Sequence, residues 1–269
     1  MRILTIAIVL LATMGAEASD TALDRSFRNM YNLRFADAES EAGGFSKSNP
    51  QDPMGDVAFA SALLFSEFER LHILQSELFA TDDRFDSRNE QKVDPEKKKQ
   101  FDEHLDTVDQ KANQLLQKNA GDQQALFALA LANGLRANYA ALIEKRNFAA
   151  LGFTRTATQY AERLLAKSPE FYDAYLAIGM GKYLVGMKPA PVRWILRLGG
   201  IKGDVDEGMR DLSVTAEKGR YLAPFARLLL AVGYLRKKNN QQAKEILMSL
   251  ATEFPANPLY LREADKVGH

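Results

Sequence analysis

The chain predicts an all-α fold, and three observations carry the prediction. Alanine and leucine dominate its apolar residues, a bias towards helix over strand. Runs that alternate polar and apolar residues in period two are few. Above all, one spacing of small and apolar residues recurs along the 269 positions. Ala38, Ala42, Phe45 and Pro50 are separated by four, three and five positions. Ala157, Ala161, Leu164 and Pro169 keep those intervals, as do Ala243, Leu247, Leu250 and Pro255. Steps of four and three put three residues on one helical stripe, and the proline falls where the helix must stop. A stripe of small residues is not buried by its own helix, so its recurrence means stacked neighbours.

The first eighteen residues stand apart. Arg2 gives a positive start, Ile3 to Met14 is uncharged and apolar, and Ala16-Glu17-Ala18 has the A-x-A order of a cleavage site. That run is about twelve residues, short of the ~20 needed to span a bilayer. Residues 1–18 are therefore expected to be a signal peptide and 19–269 a single domain, exported to a periplasm or secreted. No other stretch reads as apolar enough to cross a membrane.

The helices follow in order. The Ala38 stripe ends at Pro50, and offsets of six, nine, ten and thirteen from that proline give Asp56, Phe59, Ala60 and Leu63, a second helix type. A helix-like run from Val57 to Phe79 is interrupted by a charged stretch, Thr81 to Glu96. Val108, Ala112, Leu115 and Ala120 are a looser copy of the first stripe. Asp122 marks a helix start, after which Leu126, Leu129, Ala130 and Asn133 repeat the second type. Ala140 to Phe153 lengthens that helix and its turn. Ser168-Pro169 opens the helix of Tyr175, Ile178, Gly179 and Lys182, and Gly186 to Gly203 is an insertion. Asp204 opens a helix with Gly208, Leu212, Thr215 and Arg220 at the stripe positions. In the second type a large apolar residue precedes Gly or Ala, and the small residue admits the next helix closely. Ten or eleven helices in one continuous stack are expected.

The last unit is the most regular. Arg227, Leu230, Ala231, Tyr234, Ala243, Leu247, Leu250 and Pro255 run large, large, small, aromatic, small, apolar, apolar, proline, with twelve positions between Ala231 and Ala243. In this the chain resembles the tetratricopeptide repeat family, whose units are two antiparallel helices of about thirty-four residues. The resemblance covers most of residues 22–258 and implies a right-handed α-solenoid, here irregular and carrying insertions. It also implies a concave groove lined by one row on each first helix. That row is Met54, Val57, Ser61 and Leu64; then Gln124, Phe127, Leu131 and Gly134; then Asp173, Leu176, Met180 and Tyr183; then Phe225, Leu228, Val232 and Leu235. The residues implied for partner binding are Phe127, Leu131, Asp173, Leu176, Met180, Tyr183, Leu228 and Val232. The row lacks the Lys/Asn/Arg set with which some family members clamp a terminal carboxylate. The insertions alternatively fold back and bury this face as core.

Chemistry-bearing patterns are scarce. Lys+Arg and Asp+Glu are equal at 35 each, so no electrostatic footprint points to nucleic acid. Cysteine is absent, which excludes disulfides, thiolate metal sites and a cysteine nucleophile. His72, His104 and His269 are far apart and in no H-E-x-x-H arrangement. Gly179-Met180-Gly181-Lys182 lacks the rest of a phosphate loop, and Asp204 to Gly208 lacks the later ligands of a calcium loop. Acidic pairs such as Asp82-Asp83 and Glu67-Glu69 are ordinary surface charge in this reading. No catalysis, metal or cofactor is expected. The expected function is a scaffold that binds a protein or peptide segment in the groove, as an envelope assembly or transport adaptor. The alternative is a small apolar ligand or lipid in a cavity closed by the insertions, with Asp173 and Tyr183 as its one candidate polar anchor.

The insertion has its own character: Lys188, Arg193, Arg197 and Lys202 without an acidic residue, around the sole tryptophan, Trp194. Lys188, Arg193, Trp194 and Arg197 suit an anionic membrane surface or an acidic partner. Alternatively Trp194 and Ile195 cap the core between two repeats.

Overall fold

The structure, a computed structural model, describes residues 20–73, 93–187 and 203–267. The expected signal peptide, residues 81–92 of the charged stretch, and Lys188, Arg193, Trp194 and Arg197 lie outside the described residues. Among those described there are eleven α-helices and no strand. They are α1 (Ala22–Tyr31), α2 (Phe35–Ser48), α3 (Met54–Arg70), α4 (Pro95–Lys118), α5 (Gln123–Asn138), α6 (Asn147–Leu165), α7 (Tyr175–Gly186), α8 (Val205–Lys218), α9 (Ala223–Arg236), α10 (Asn240–Glu253) and α11 (Pro258–Lys266). Each packs against its successor, and α1, α3, α5 and α7 also touch one another in turn.

The small-residue stripes are the contacts between these helices. Ala38 and Ala42 on α2, Ala112 on α4, Ala161 and Leu164 on α6, and Ala243 and Leu250 on α10 are wholly buried. On α8 the stripe is Gly208, Leu212 and Thr215, and Gly208 meets Gly179 of α7 backbone to backbone. The prolines do not end these helices themselves. Pro50, Pro169 and Pro255 lie beyond the last helical residue, in the turns that follow.

Helix boundaries depart from the sequence reading in four places. Within the run expected from Val57 to Phe79, α3 ends at Arg70, after which Leu71 caps it and His72 turns to φ 56°. Asp94 caps α4, accepting the N–H groups of Glu96 and Lys97, and Pro95 is its first residue; the charged stretch therefore ends in a helix start. Asn147 to Phe153 belongs to α6, because α5 closes in a π-turn (Tyr139–Ile143) and a three-residue connection. Ser168 opens no helix, since its hydroxyl accepts from the Gln123 amide at 2.6 Å; a 3-10 turn (Tyr172–Ala174) leads into α7 instead. One further expectation fails. Gln123–Ile143 is long and apolar enough to cross a membrane, but 61% of that window is buried inside the protein, as befits a central core helix.

Three connections, 32–34, 144–146 and 237–239, are only three residues long, so the helices they join run antiparallel. Each places a non-glycine residue in left-handed conformation: Leu33 at φ 59°, Lys145 at 55° and Lys238 at 59°. The bond that closes such an end is visible in Arg34 N–H to the Asn29 carbonyl (2.9 Å) and Asn239 N–H to that of Tyr234 (2.9 Å). Glycine adopts this conformation without the Cβ penalty. Lys238→Gly is expected to stabilise the protein by about 0.5–1 kcal/mol, the gain being trimmed by glycine's freedom when unfolded. An increased urea midpoint with unchanged slope is the readout.

Residues early and late in the described chain meet. α1 is fixed at its start by Thr21, whose side chain accepts the Asp24 N–H while Asp24 accepts the Thr21 N–H. Its exposed edge then reaches the C-terminal helices. The Arg220 guanidinium grips Asp24 with two bonds, of 2.8 and 2.7 Å. Burial pushes the Asp24 carboxyl up, but the bonds from Arg220 and Thr21 outweigh it and bring the group down to about 2. Phe27 tilts against Tyr221, the Tyr31 hydroxyl donates to the Tyr221 carbonyl at 2.9 Å, and the Asn257 amide donates to the Tyr31 carbonyl at 2.9 Å. Phe65 of α3 and Phe225 of α9 join edge to face behind this seam.

Candidate functional site

The row expected to line a groove is divided. On α3, which packs against α1, α2, α4 and α5, Met54, Val57, Ser61 and Leu64 are all buried. On α5, α7 and α9 the row is mixed. Phe127 is buried and tilts against Phe171 with ring centroids 4.7 Å apart. Tyr183 is buried in a small cluster with Met209, Leu212 and Leu230. Leu131, Leu176, Met180, Leu228 and Val232 are only half-buried. Leu131, Leu176 and Leu228 lean on the main core, and Met180 leans on the smaller cluster. Half-buried apolar side chains are thus spread over three successive odd-numbered helices.

Asp173, the candidate polar anchor of that row, is occupied by the fold. It is 5% exposed, and the 3-10 turn holds it under the connection between α8 and α9. Its carboxylate accepts the backbone N–H groups of Arg220 (3.0 Å), Tyr221 (3.2 Å) and Leu222 (2.9 Å). Burial pushes the carboxyl above its ordinary range, against the three N–H donors. Thr215 donates to the neighbouring Tyr172 carbonyl at 2.8 Å, so the turn is tied to both flanking helices. Asp173 thereby positions α9 rather than facing a ligand.

One cluster went unnoticed in the sequence, and Glu67, read there as ordinary surface charge, is buried at the centre of another. Asp56 of α3, buried, accepts from His104 Nδ1 at 2.8 Å and Lys111 Nζ at 2.7 Å, both on α4. Burial pushes its carboxyl up, and the bonds from His104 and Lys111 more than reverse this. The His104 ring also stacks on Phe59 at 4.2 Å. A turn or more along the same seam, buried Glu67 pairs with Arg70 at 2.7 Å and lies 3.6 Å from Lys97. The signal was available: Asp56 stands at the ruler position that Leu126 and Tyr175 fill elsewhere. An acid at an apolar position needs a buried partner. Lys182, from the rejected phosphate-loop pattern, lies on α7 with its ammonium 2.8 Å from Asp211 of α8. Asp204, from the rejected calcium-loop pattern, caps α8 through the Glu207 N–H.

Comparison with protein-family models, with curated proteins and with solved structures returns no match for this chain.

Proposed function

We propose that this chain is an exported, non-catalytic scaffold, a right-handed solenoid of the tetratricopeptide type, that holds a protein or peptide segment along its odd-numbered helices. One observation supports the reading above others: Leu131, Leu176, Met180, Leu228 and Val232 stay half-buried while the same row on α3 is sealed. Leucine, valine and an adaptable methionine spread over three helices suit an apolar or amphipathic segment. Phe127 and Tyr183 act as rigid walls behind that surface, and Asp173 fixes the spacing of α9. In this reading the protein is an adaptor in envelope assembly or transport.

Leu176→Asp combined with Met180→Asp is expected to abolish cross-linked capture of a partner from the native envelope, while circular dichroism shows the helices retained and the melt falls, since both side chains lean on core clusters. Undiminished capture by the folded variant overturns the reading. Recovery of a lipid in place of a polypeptide moves the function to a small apolar ligand.

A further inference from the structure

Where the α2–α3 turn meets the start of α5, Asn49, Pro50, Gln51, Asp52, Leu115 and Gln124 line a cleft of about 290 Å3. Pro50 and Leu115 supply its apolar wall, and the other four side chains are polar. Their hydrogen bonds determine what they can still offer. The Asn49 amide nitrogen donates to the Phe45 carbonyl at 3.2 Å, and the Gln124 amide nitrogen donates to Asp52 Oδ2. Both partners only accept, so the two amide orientations are set, and the Asn49 and Gln124 carbonyl oxygens accept no side-chain or backbone donor in the described residues. Asp52 Oδ1 takes the Met54 N–H at 2.8 Å, and each carboxylate oxygen keeps a second lone pair. Lys111, the cation that Asp52 feels, has its ammonium on Asp56 at 2.7 Å. The cleft thus carries a carboxylate beside the carbonyl oxygens of two amides whose nitrogens are turned to acceptors of the protein.

We infer that this cleft binds a primary ammonium group, carried either by a lysine side chain of a partner or by a free alkyl amine. An ammonium brings three donors and no acceptor, which complements the Asp52 carboxylate and the Asn49 and Gln124 carbonyls. Its alkyl stem lies against Pro50 and Leu115. Burial pushes the Asp52 carboxyl up, so binding fades at a less acidic pH than for an ordinary carboxylate. The site is independent of the half-buried row on α5, α7 and α9, and either stands if the other fails.

The test is titration of the full chain with N-acetyl-lysinamide and, separately, with 1,4-diaminobutane, followed by NMR of the Gln124 side-chain amide. N-acetyl-norleucinamide is the uncharged match. Both amines are expected to shift the Gln124 signal to saturation, and the norleucine analogue to leave it in place. The tighter of the two amines identifies the source, peptide lysine or free amine. Asp52→Asn keeps an acceptor for the Met54 N–H and is expected to weaken amine binding at least about tenfold. Gln124→Leu and Asn49→Ala, read by the Gln51 side-chain signal, carry the same expectation if Asp52→Asn does not fold. Equal shifts with the norleucine analogue, or unaltered affinity in these variants, overturn the inference.

Discussion

Replacing Gly208 by valine is expected to cost about 3 kcal/mol of stability, the upper end of what overpacking does in a close-packed core. A Cβ at Gly208 would sit 2.7 Å from the Tyr183 nitrogen and 2.8 Å from the Gly179 carbonyl oxygen. Both are backbone atoms of α7, so no side chain can swing aside, and α7 and α8 would have to separate. Gly179→Val meets the same wall from the other helix, with its Cβ 2.9 Å from the Gly208 oxygen and 2.9 Å from the Leu212 nitrogen. The control is Gly152→Ala on α6, where a new Cβ meets nothing within 4 Å. That change is expected to stabilise by about 0.5–1 kcal/mol through helix propensity. Thermal melts of the three variants decide it. Equal melting of Gly208→Val and the unaltered chain would mean that the two helices do not touch at their backbones.

Asp173→Ala is expected to destabilise by a similar amount, about 3 kcal/mol. Three backbone N–H groups lose their acceptor together, and that of Leu222 is buried, so water does not replace it freely. Asp173→Asn keeps one acceptor oxygen but turns an amide NH2 towards a donor, and about half the loss is expected. Because the turn also orders the start of α9, faster hydrogen exchange should appear at Arg220, Tyr221 and Leu222 before the rest of that helix. Protection at those three positions equal to that of the unaltered chain would show that Asp173 does not hold the connection.

Local structure was largely legible in the sequence because local structure is periodic. The stripes Ala38–Ala42, Ala157–Ala161–Leu164 and Ala243–Leu247–Leu250 foretold which faces are buried, and Gly179 beside Ile178 foretold the close approach of α8. Capping chemistry was legible where an Asp stands free to cap, as at Asp122 and Asp204. It misled at Ser168, whose hydroxyl is engaged by Gln123 from 45 positions away. The exposure of the candidate row was not legible. Val57 and Leu64 lie on α3, which packs against α1, α2, α4 and α5 at once, and no repeat spacing encodes that number of neighbours. The acceptor-lined cleft was illegible for the same reason, since Asp52 and Gln124 are brought together only when α3 and α5 pack.

The meeting of early and late residues has a consequence for how the molecule is made. In an open repeat array each unit needs only its neighbours, so structure can spread from any point and the termini fray first. Here α1 is synthesised first, yet its bonding partners follow 190 residues later at Tyr221, 196 at Arg220 and 226 at Asn257. Until then Phe27 lacks Tyr221 and Tyr31 has only Phe65 as an aromatic partner, and α1 is held by α2 and α3 alone. Closure over so long a chain is a late event that carries a loop entropy no local contact supplies. Once made, it ties α1 to the α8–α9 connection and to the cap of α11, so these helices lose the independence that units of an open array keep.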